Sequence, residues 1–239
     1  MREAVFGSLR VRLAGGSDRE GGGSGPLVVL LHGFGAPGSD LVPLWRELSP
    51  PPGTRFAFPE APLGLGLDDA RAWWMIDMLK LEAALSRGEL RDLTRDVPDG
   101  IAEARALVSE MLDGLERELG VEGSRVVLGG FSQGAMLALD VALRSERPLA
   151  GLVLLSGTLL AEDEWLPLMP KRAGLPVLQS HGRLDPLLPF AIAERLRDEL
   201  ARAGLPVKFI PFNGGHEIPG SALDGLDQFL RATLVTPRG

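Results

Sequence analysis

Short apolar runs alternate along the chain with stretches in which apolar residues recur every three or four positions. Residues 27–31, 126–128 and 152–155 are continuous apolar runs, as expected of strands buried on both faces of a parallel sheet. Residues 56–58, 177–181 and 207–210 read as further strands, and residues 4–13 alternate as an edge strand. Helices are predicted over residues 40–48, 99–119, 190–202 and 222–234. In the long one, Ile101, Ala104, Leu107, Val108, Met111, Leu112 and Leu115 share a face, with Asp99 as N-cap after Pro98 and Gly120 as the stop. Residues 135–143 are apolar on nearly every side and predict a buried helix. Strands alternating with helices make an α/β protein with a mainly parallel central sheet flanked by helices. No repeat or composition break divides the chain, so one domain over residues 1–239 is expected.

Between the strand at 126 and the buried helix stands Gly130-Phe131-Ser132-Gln133-Gly134. A serine in a sharp strand-to-helix turn needs neighbours without side chains two residues to either side, where a Cβ would clash. Such a turn lifts the hydroxyl out of the sheet at a helix N-terminus, whose free amides favour developing negative charge. Ser132 is therefore the candidate nucleophile.

Composition narrows the chemistry. The chain has 25 Lys and Arg against 32 Asp and Glu, a net charge of −7 that argues against nucleic acid and anionic membrane surfaces. No apolar run is long enough to span a bilayer, and the first residues lack the apolar core of a signal peptide, so a cytoplasmic location is expected. There is no cysteine, which excludes disulfides, thiol chemistry and thiolate metal sites. There is no tyrosine either, which excludes a tyrosine general acid.

Residues 15–26 are rich in glycine, but no Gly-Lys-Ser/Thr follows, and the stretch reads as a flexible hairpin loop rather than a phosphate loop. The strand at 27–31 ends in His32-Gly33-Phe34-Gly35-Ala36-Pro37-Gly38, which admits two readings. Gly33, Gly35 and Gly38 fit a dinucleotide fingerprint, with Glu60 as the ribose-binding acid. Against it, Pro37 removes an amide where a pyrophosphate needs one, and the helix starts past the last glycine. In the other reading the glycines turn the backbone so that the Phe34 amide faces Ser132 as an oxyanion donor.

A serine hydroxyl needs a base and a group that orients the base. The chain has three histidines. His32 and His181 each precede a glycine at a strand end and read as loop formers. His216 follows the last strand after Gly214 and Gly215, where the ends of parallel strands gather catalytic groups. Asp185 follows the preceding strand and can hold the imidazole, giving the order Ser132, Asp185, His216. A metal site is disfavoured, since His216-Glu217 does not continue as a helical His-Glu-x-x-His.

With these pieces assembled, the sequence resembles the phospholipase/carboxylesterase family of α/β-hydrolases, which includes the acyl-protein thioesterases. The resemblance rests on Leu31-His32-Gly33-Phe34-Gly35, Pro59 with Ala61-Pro62, the turn around Ser132, Leu155-Ser156-Gly157, His181-Gly182 with Asp185-Pro186, and Gly215-His216-Glu217. It implies an α/β-hydrolase fold and an esterase with Ser132, Asp185 and His216 as triad and the Phe34 and Gln133 amides as oxyanion hole. A serine hydrolase of this kind is expected to need no cofactor.

The family commonly has Trp-Phe-Asp where this chain has Trp73-Trp74-Met75-Ile76-Asp77, and the stretch from there to Ile101 is longer than usual. A short lid-like insertion is expected around residues 63–98. Its polar part, with Arg87, Glu89, Arg91, Asp92, Arg95 and Asp96, reads as a solvated helical face or the outside of a lid. Trp73, Trp74 and Met75, with Leu187, are expected to line an apolar substrate pocket.

The expected activity is hydrolysis of short- to medium-chain acyl esters, with lysophospholipids or acyl-protein thioesters as alternatives on the same triad. A rate falling at acid pH follows from the histidine base. A nicotinamide oxidoreductase using the Gly33 to Gly38 loop and a non-catalytic binding protein of the same fold are the rivals. The expected partner is a small acyl ester, without nucleic acid or stable membrane insertion, and a homodimer is compatible with the sequence.

Overall fold

The computed structural model describes residues 1–66, 68–77, 86, 87 and 92–234. The chain opens with β1 (Arg2–Phe6), β2 (Leu9–Gly16), β3 (Glu20–Gly22) and β4 (Leu27–Leu31). After a short helix α1 (Leu44–Glu47) come β5 (Arg55–Pro59) and a small antiparallel ribbon, β6 (Leu63–Gly64) with β7 (Arg71–Ala72). Next follow α2 (Ile101–Leu119), β8 (Val126–Phe131), α3 (Gln133–Arg144), β9 (Gly151–Leu155) and α4 (Glu162–Leu168). The chain closes with β10 (Val177–Gly182), α5 (Phe190–Arg202), β11 (Val207–Phe212) and α6 (Gly220–Thr233).

The main sheet runs β1-β2-β5-β4-β8-β9-β10-β11, with β3 beside β2. From β5 to β11 every neighbouring pair is parallel, and β2 joins β5 antiparallel. Strand periodicity explains the layers. Leu27, Val29, Leu31, Leu128, Leu152 and Leu154 point to the face covered by α2, α3 and α5. Val28, Leu30, Val127, Val153 and Leu155 point to the opposite face, covered by α6 and the segment around α1. Both faces are buried, which is why these strands read as continuous apolar runs.

Helix α3 lies in the first layer, and Gln133 to Leu143 are buried along its whole length. Its one buried acid, Asp140, accepts from Arg105 Nη1 (2.6 Å), Arg144 Nε (2.8 Å) and Trp165 Nε1 (2.8 Å). Helix α3 is thereby tied to α2 and α4 through a satisfied buried charge.

Several expectations change. Residues 4–13 are not one edge strand but parts of two, because the chain turns at Gly7 (φ +56°) so that Phe6 pairs with Leu9. The helix expected over 40–48 is helical only at Leu44–Glu47. Before it runs a string of turns, Asp40 N–H to Pro37 O, Val42 N–H to Ser39 O and Leu44 N–H to Leu41 O. Pro43 has no N–H and disfavours helical backbone at residue 42, so one helix cannot cross it. At α2 the N-cap is Gly100 (φ +89°), not Asp99, and no side chain caps the end.

Ribbon β6–β7 and α4 have no counterpart among the predicted elements. Of the insertion around 63–98, Leu67, residues 78–85 and residues 88–91 (with Glu89 and Arg91) lie outside the described residues. Residues 94–96 do not form a solvated helix. They lie against the start of α4, with Ala161 N–H bonded to Asp96 O and Glu162 N–H to Thr94 O.

Candidate active site

The turn between β8 and α3 puts Ser132 at φ +53° and ψ −117°, a conformation that a residue with a Cβ rarely adopts. It is held there by its neighbours. Ser132 N–H donates to Leu155 O of β9 at 2.8 Å, and the Ala135 and Met136 amides return to Ser132 O. The flanking glycines are needed for contact with β4. A Cβ on Gly134 would lie 2.1 Å from Leu31 O, and one on Gly130 2.5 Å from the same atom. Gly134→Ala is expected to cost about 1–3 kcal/mol in urea unfolding, because backbone on both sides must shift. Wild-type stability in that variant would contradict the packing described.

Ser132, Asp185 and His216 follow β8, β10 and β11, at the carboxyl ends of parallel strands. Ser132 Oγ lies 2.8 Å from His216 Nε2, and His216 Nδ1 lies 2.7 Å from Asp185 Oδ2. The carboxylate can only accept, so Nδ1 carries the proton and Nε2 is left to accept from the serine hydroxyl. The close run of the two loops depends on Gly182, where a Cβ would meet Gly215 O at 2.1 Å. Phe131 backs the imidazole, with ring centres 4.9 Å apart.

Asp185 is buried and its other oxygen, Oδ1, accepts from the amides of Leu187 (2.8 Å) and Leu188 (2.9 Å). Burial alone would raise this carboxyl, but the bonds from His216 and those two amides hold it below the ordinary aspartate value. The structure thus places Leu187 at the carboxylate through its backbone. His181 donates from Nε2 to Leu188 O at 2.9 Å, and the same nitrogen lies 3.4 Å from Asp185 Oδ2.

The loop after β4 lies against Ser132: a Cβ on Gly33 would sit 3.4 Å from Ser132 Cβ and 3.2 Å from the Phe131 ring. Phe34, next in the chain, is half-buried beside it. The dinucleotide reading of this loop does not survive. Gly35 N–H is taken by Arg71 O at 2.8 Å, and the space at Gly38 is closed by Arg12 and Glu60. Glu60 itself pairs with Arg12 and Arg71, both at 3.1 Å. Among the described residues no three acidic or histidine side chains converge to hold a metal.

A mostly apolar cavity of about 270 Å³ opens one helical turn along α3, lined among others by Trp74, Met75, Leu93, Val97, Met136 and Leu160. Trp74 and Met75 were expected there. Trp73 does not line it: this residue is buried with its indole N–H bonded to His32 O at 2.9 Å. Met136, Leu93, Val97 and Leu160 come from three separate segments, and no local pattern marks them as neighbours.

His32 and His181 are buried and neutral. His32 Nδ1–H donates to Gly33 O (2.8 Å) and Nε2 accepts from Ala61 N–H (3.1 Å). Burial holds both imidazoles below the ordinary histidine value. The unfolded chain then takes up protons first as pH falls through about 6.5, so stability is full above that pH and declines below it. Urea unfolding is expected to show lower stability at about pH 5.5 than at about pH 7.5. Equal values would contradict neutral burial.

A parallel-sheet α/β protein with a strained serine turn after a central strand, followed by an acid and a histidine after later strands, is an α/β-hydrolase. Residues 23–234 match the phospholipase/carboxylesterase family, and the chain belongs to it. It is 29% identical over 215 residues to acyl-protein thioesterase 1 of Neurospora crassa, covering 87% of this chain and 86% of that one. To acyl-protein thioesterase 1 of Eremothecium gossypii it is 30% identical over 218 residues, covering 86% and 87%.

Among solved structures it is similar to esterase PE8, with a TM-score of 0.77 and 31% identity over 95% of this chain and 99% of that one. A carboxylesterase from Mesorhizobium loti shares the fold, with a TM-score of 0.74 and 22% identity over 96% and 99%. The chain is a hydrolase acting on ester bonds. Among the described residues no helix is long and apolar enough to cross a membrane.

Proposed function

We propose that the protein is a serine carboxylester hydrolase for short- to medium-chain acyl esters, with Ser132 as nucleophile, His216 as base and Asp185 as its orienting acid. The observation that carries this reading is the continuous bonding from Ser132 Oγ to His216 (2.8 Å) and on to Asp185 (2.7 Å). Ser132 Oγ attacks the ester carbonyl carbon while its proton passes to His216 Nε2, giving a tetrahedral intermediate. The Phe34 and Gln133 amides donate to the oxyanion; Gln133 stands in the first turn of α3, where the helix supplies no acceptor of its own.

The intermediate collapses, the ester C–O bond breaks, and the proton on Nε2 goes to the leaving alkoxide. Water repeats the sequence on the acyl-enzyme and releases the acid. His216 must be neutral to accept the first proton, so activity falls as the solution is made acidic.

The apolar cavity, about 270 Å³ and walled by Trp74, Met75 and Met136, supports acyl chains of short to medium length. The thioesterase relatives favour a second substrate class, acyl thioesters on the same three residues. The reading includes a single domain over residues 1–239 and a cytoplasmic location. Hydrolysis of p-nitrophenyl esters from acetate to palmitate, beside an acyl thioester series, tests it. Turnover peaking at short or medium esters is expected, and no turnover on any ester or thioester would overturn it.

A further inference from the structure

Gln133 opens α3, yet its side chain is fully buried. Oε1 accepts from Trp73 N–H at 2.9 Å, and Nε2 donates to Trp74 O at 2.9 Å. One amide thus pairs a donor and an acceptor on consecutive residues just past the end of β7, as a neighbouring strand would. The segment it grips continues into Trp74, Met75 and Ile76, which line the apolar cavity. It is gripped elsewhere too. Trp73 Nε1–H donates to His32 O, and the His32 ring bridges Ala61 N–H and the Gly33 carbonyl beside Phe34. Behind Trp74 stands the start of α2, where even a Cβ on Gly100 would come within 3.3 Å of Trp74 Cβ.

Ester hydrolysis asks only for the backbone amide of residue 133; a buried apolar side chain of equal volume would fill the same space without needing partners. A buried amide is stable only with its polar atoms paired, and these pairs both go to the pocket segment. We propose that the Gln133 side chain is a positioning and specificity-determining group, locking the Trp73–Trp74 segment to the turn that carries Ser132 and so setting acyl-chain selectivity. This rests on the ester-hydrolase reading. It means that the carbonyl held at the Gln133 amide and the chain lying along Trp74 are kept in one register by one residue.

Gln133→Met keeps the volume and removes both bonds, leaving Trp73 N–H and Trp74 O unpaired. Two readouts follow. Hydrogen exchange at the Trp73 amide should speed up about tenfold or more. Across p-nitrophenyl esters, the peak in kcat/KM at the preferred length should flatten to within about threefold of its neighbours, with acetate, which does not reach the wall, changed least.

Gln133→Glu is the conservative variant. Its carboxyl still accepts from Trp73 N–H and, in the protonated form that burial favours, donates to Trp74 O. It should recover the wild-type profile better than Gln133→Met, and it keeps the proposal open to refutation if the methionine variant does not fold. Unchanged exchange with a wild-type profile in Gln133→Met overturns the proposal. So does an equal loss at every chain length that Gln133→Glu does not restore. Turnover that survives Ser132→Ala would instead refute the ester-hydrolase reading, and the Trp73 exchange comparison, which uses no turnover, stands apart from that result.

Discussion

Ser132→Ala is expected to lower kcat on p-nitrophenyl butyrate by about five to six orders of magnitude while leaving the fold intact. The substitution removes one oxygen, the atom 2.8 Å from His216 Nε2. It adds no backbone strain, because Ser132 already carries a Cβ at φ +53° and alanine has the same Cβ. Ser132 N–H keeps its bond to Leu155 O, so the turn keeps its anchor. What survives is the background from bound substrate and oxyanion donors, which alone give about three to four orders over water. Steady-state kinetics with a thermal melt on the same sample check this. A loss under about tenfold in a folded variant would mean that the hydroxyl is not the nucleophile.

Asp185→Asn is expected to reduce kcat by about four orders of magnitude, and the reason lies in its hydrogen bonds. Oδ1 accepts from two amides, Leu187 and Leu188, so in the variant the amide oxygen must take that side. The NH2 group is then turned towards His216 Nδ1, where Asp185 Oδ2 now sits at 2.7 Å. Facing a donor, Nδ1 must accept, which moves the imidazole proton to Nε2. That tautomer cannot take the serine proton. Asparagine is nearly isosteric, so the loop should stay in place and KM should change much less than kcat. A loss under about tenfold would contradict the orienting role of Asp185.

Much of the fold is local and was legible as such. The runs at 27–31, 126–128 and 152–155 are apolar without alternation because α2, α3 and α5 cover one face and α6 the other. The glycines around Ser132 announce a turn because a Cβ there would meet the carbonyl of Leu31. The order of Ser132, Asp185 and His216 follows from which residues end parallel strands.

What was not legible depends on contacts between distant segments. Trp73 and Trp74 are adjacent, chemically alike and both buried in the core, yet Trp74 also walls the cavity. The bond that sets Trp73 apart, from its indole N–H to His32 O, crosses to a residue 41 positions away. Pro43 is a local signal against one helix over 40–48, and the chain is helical only after it. His181 reads as a loop former and does that work, but its nearness to Asp185 depends on how residues 185–188 fold back over β10.

The central claim is that ester cleavage passes through an acyl group on Ser132. Quenching the reaction with a p-nitrophenyl ester in acid and mapping the digested protein by mass spectrometry tests it most directly. The mass of the acyl group is expected on the peptide containing Ser132, absent in Ser132→Ala and accumulating when deacylation is slow. Steady turnover with no acylated peptide, or with the acyl group on another residue, would contradict it.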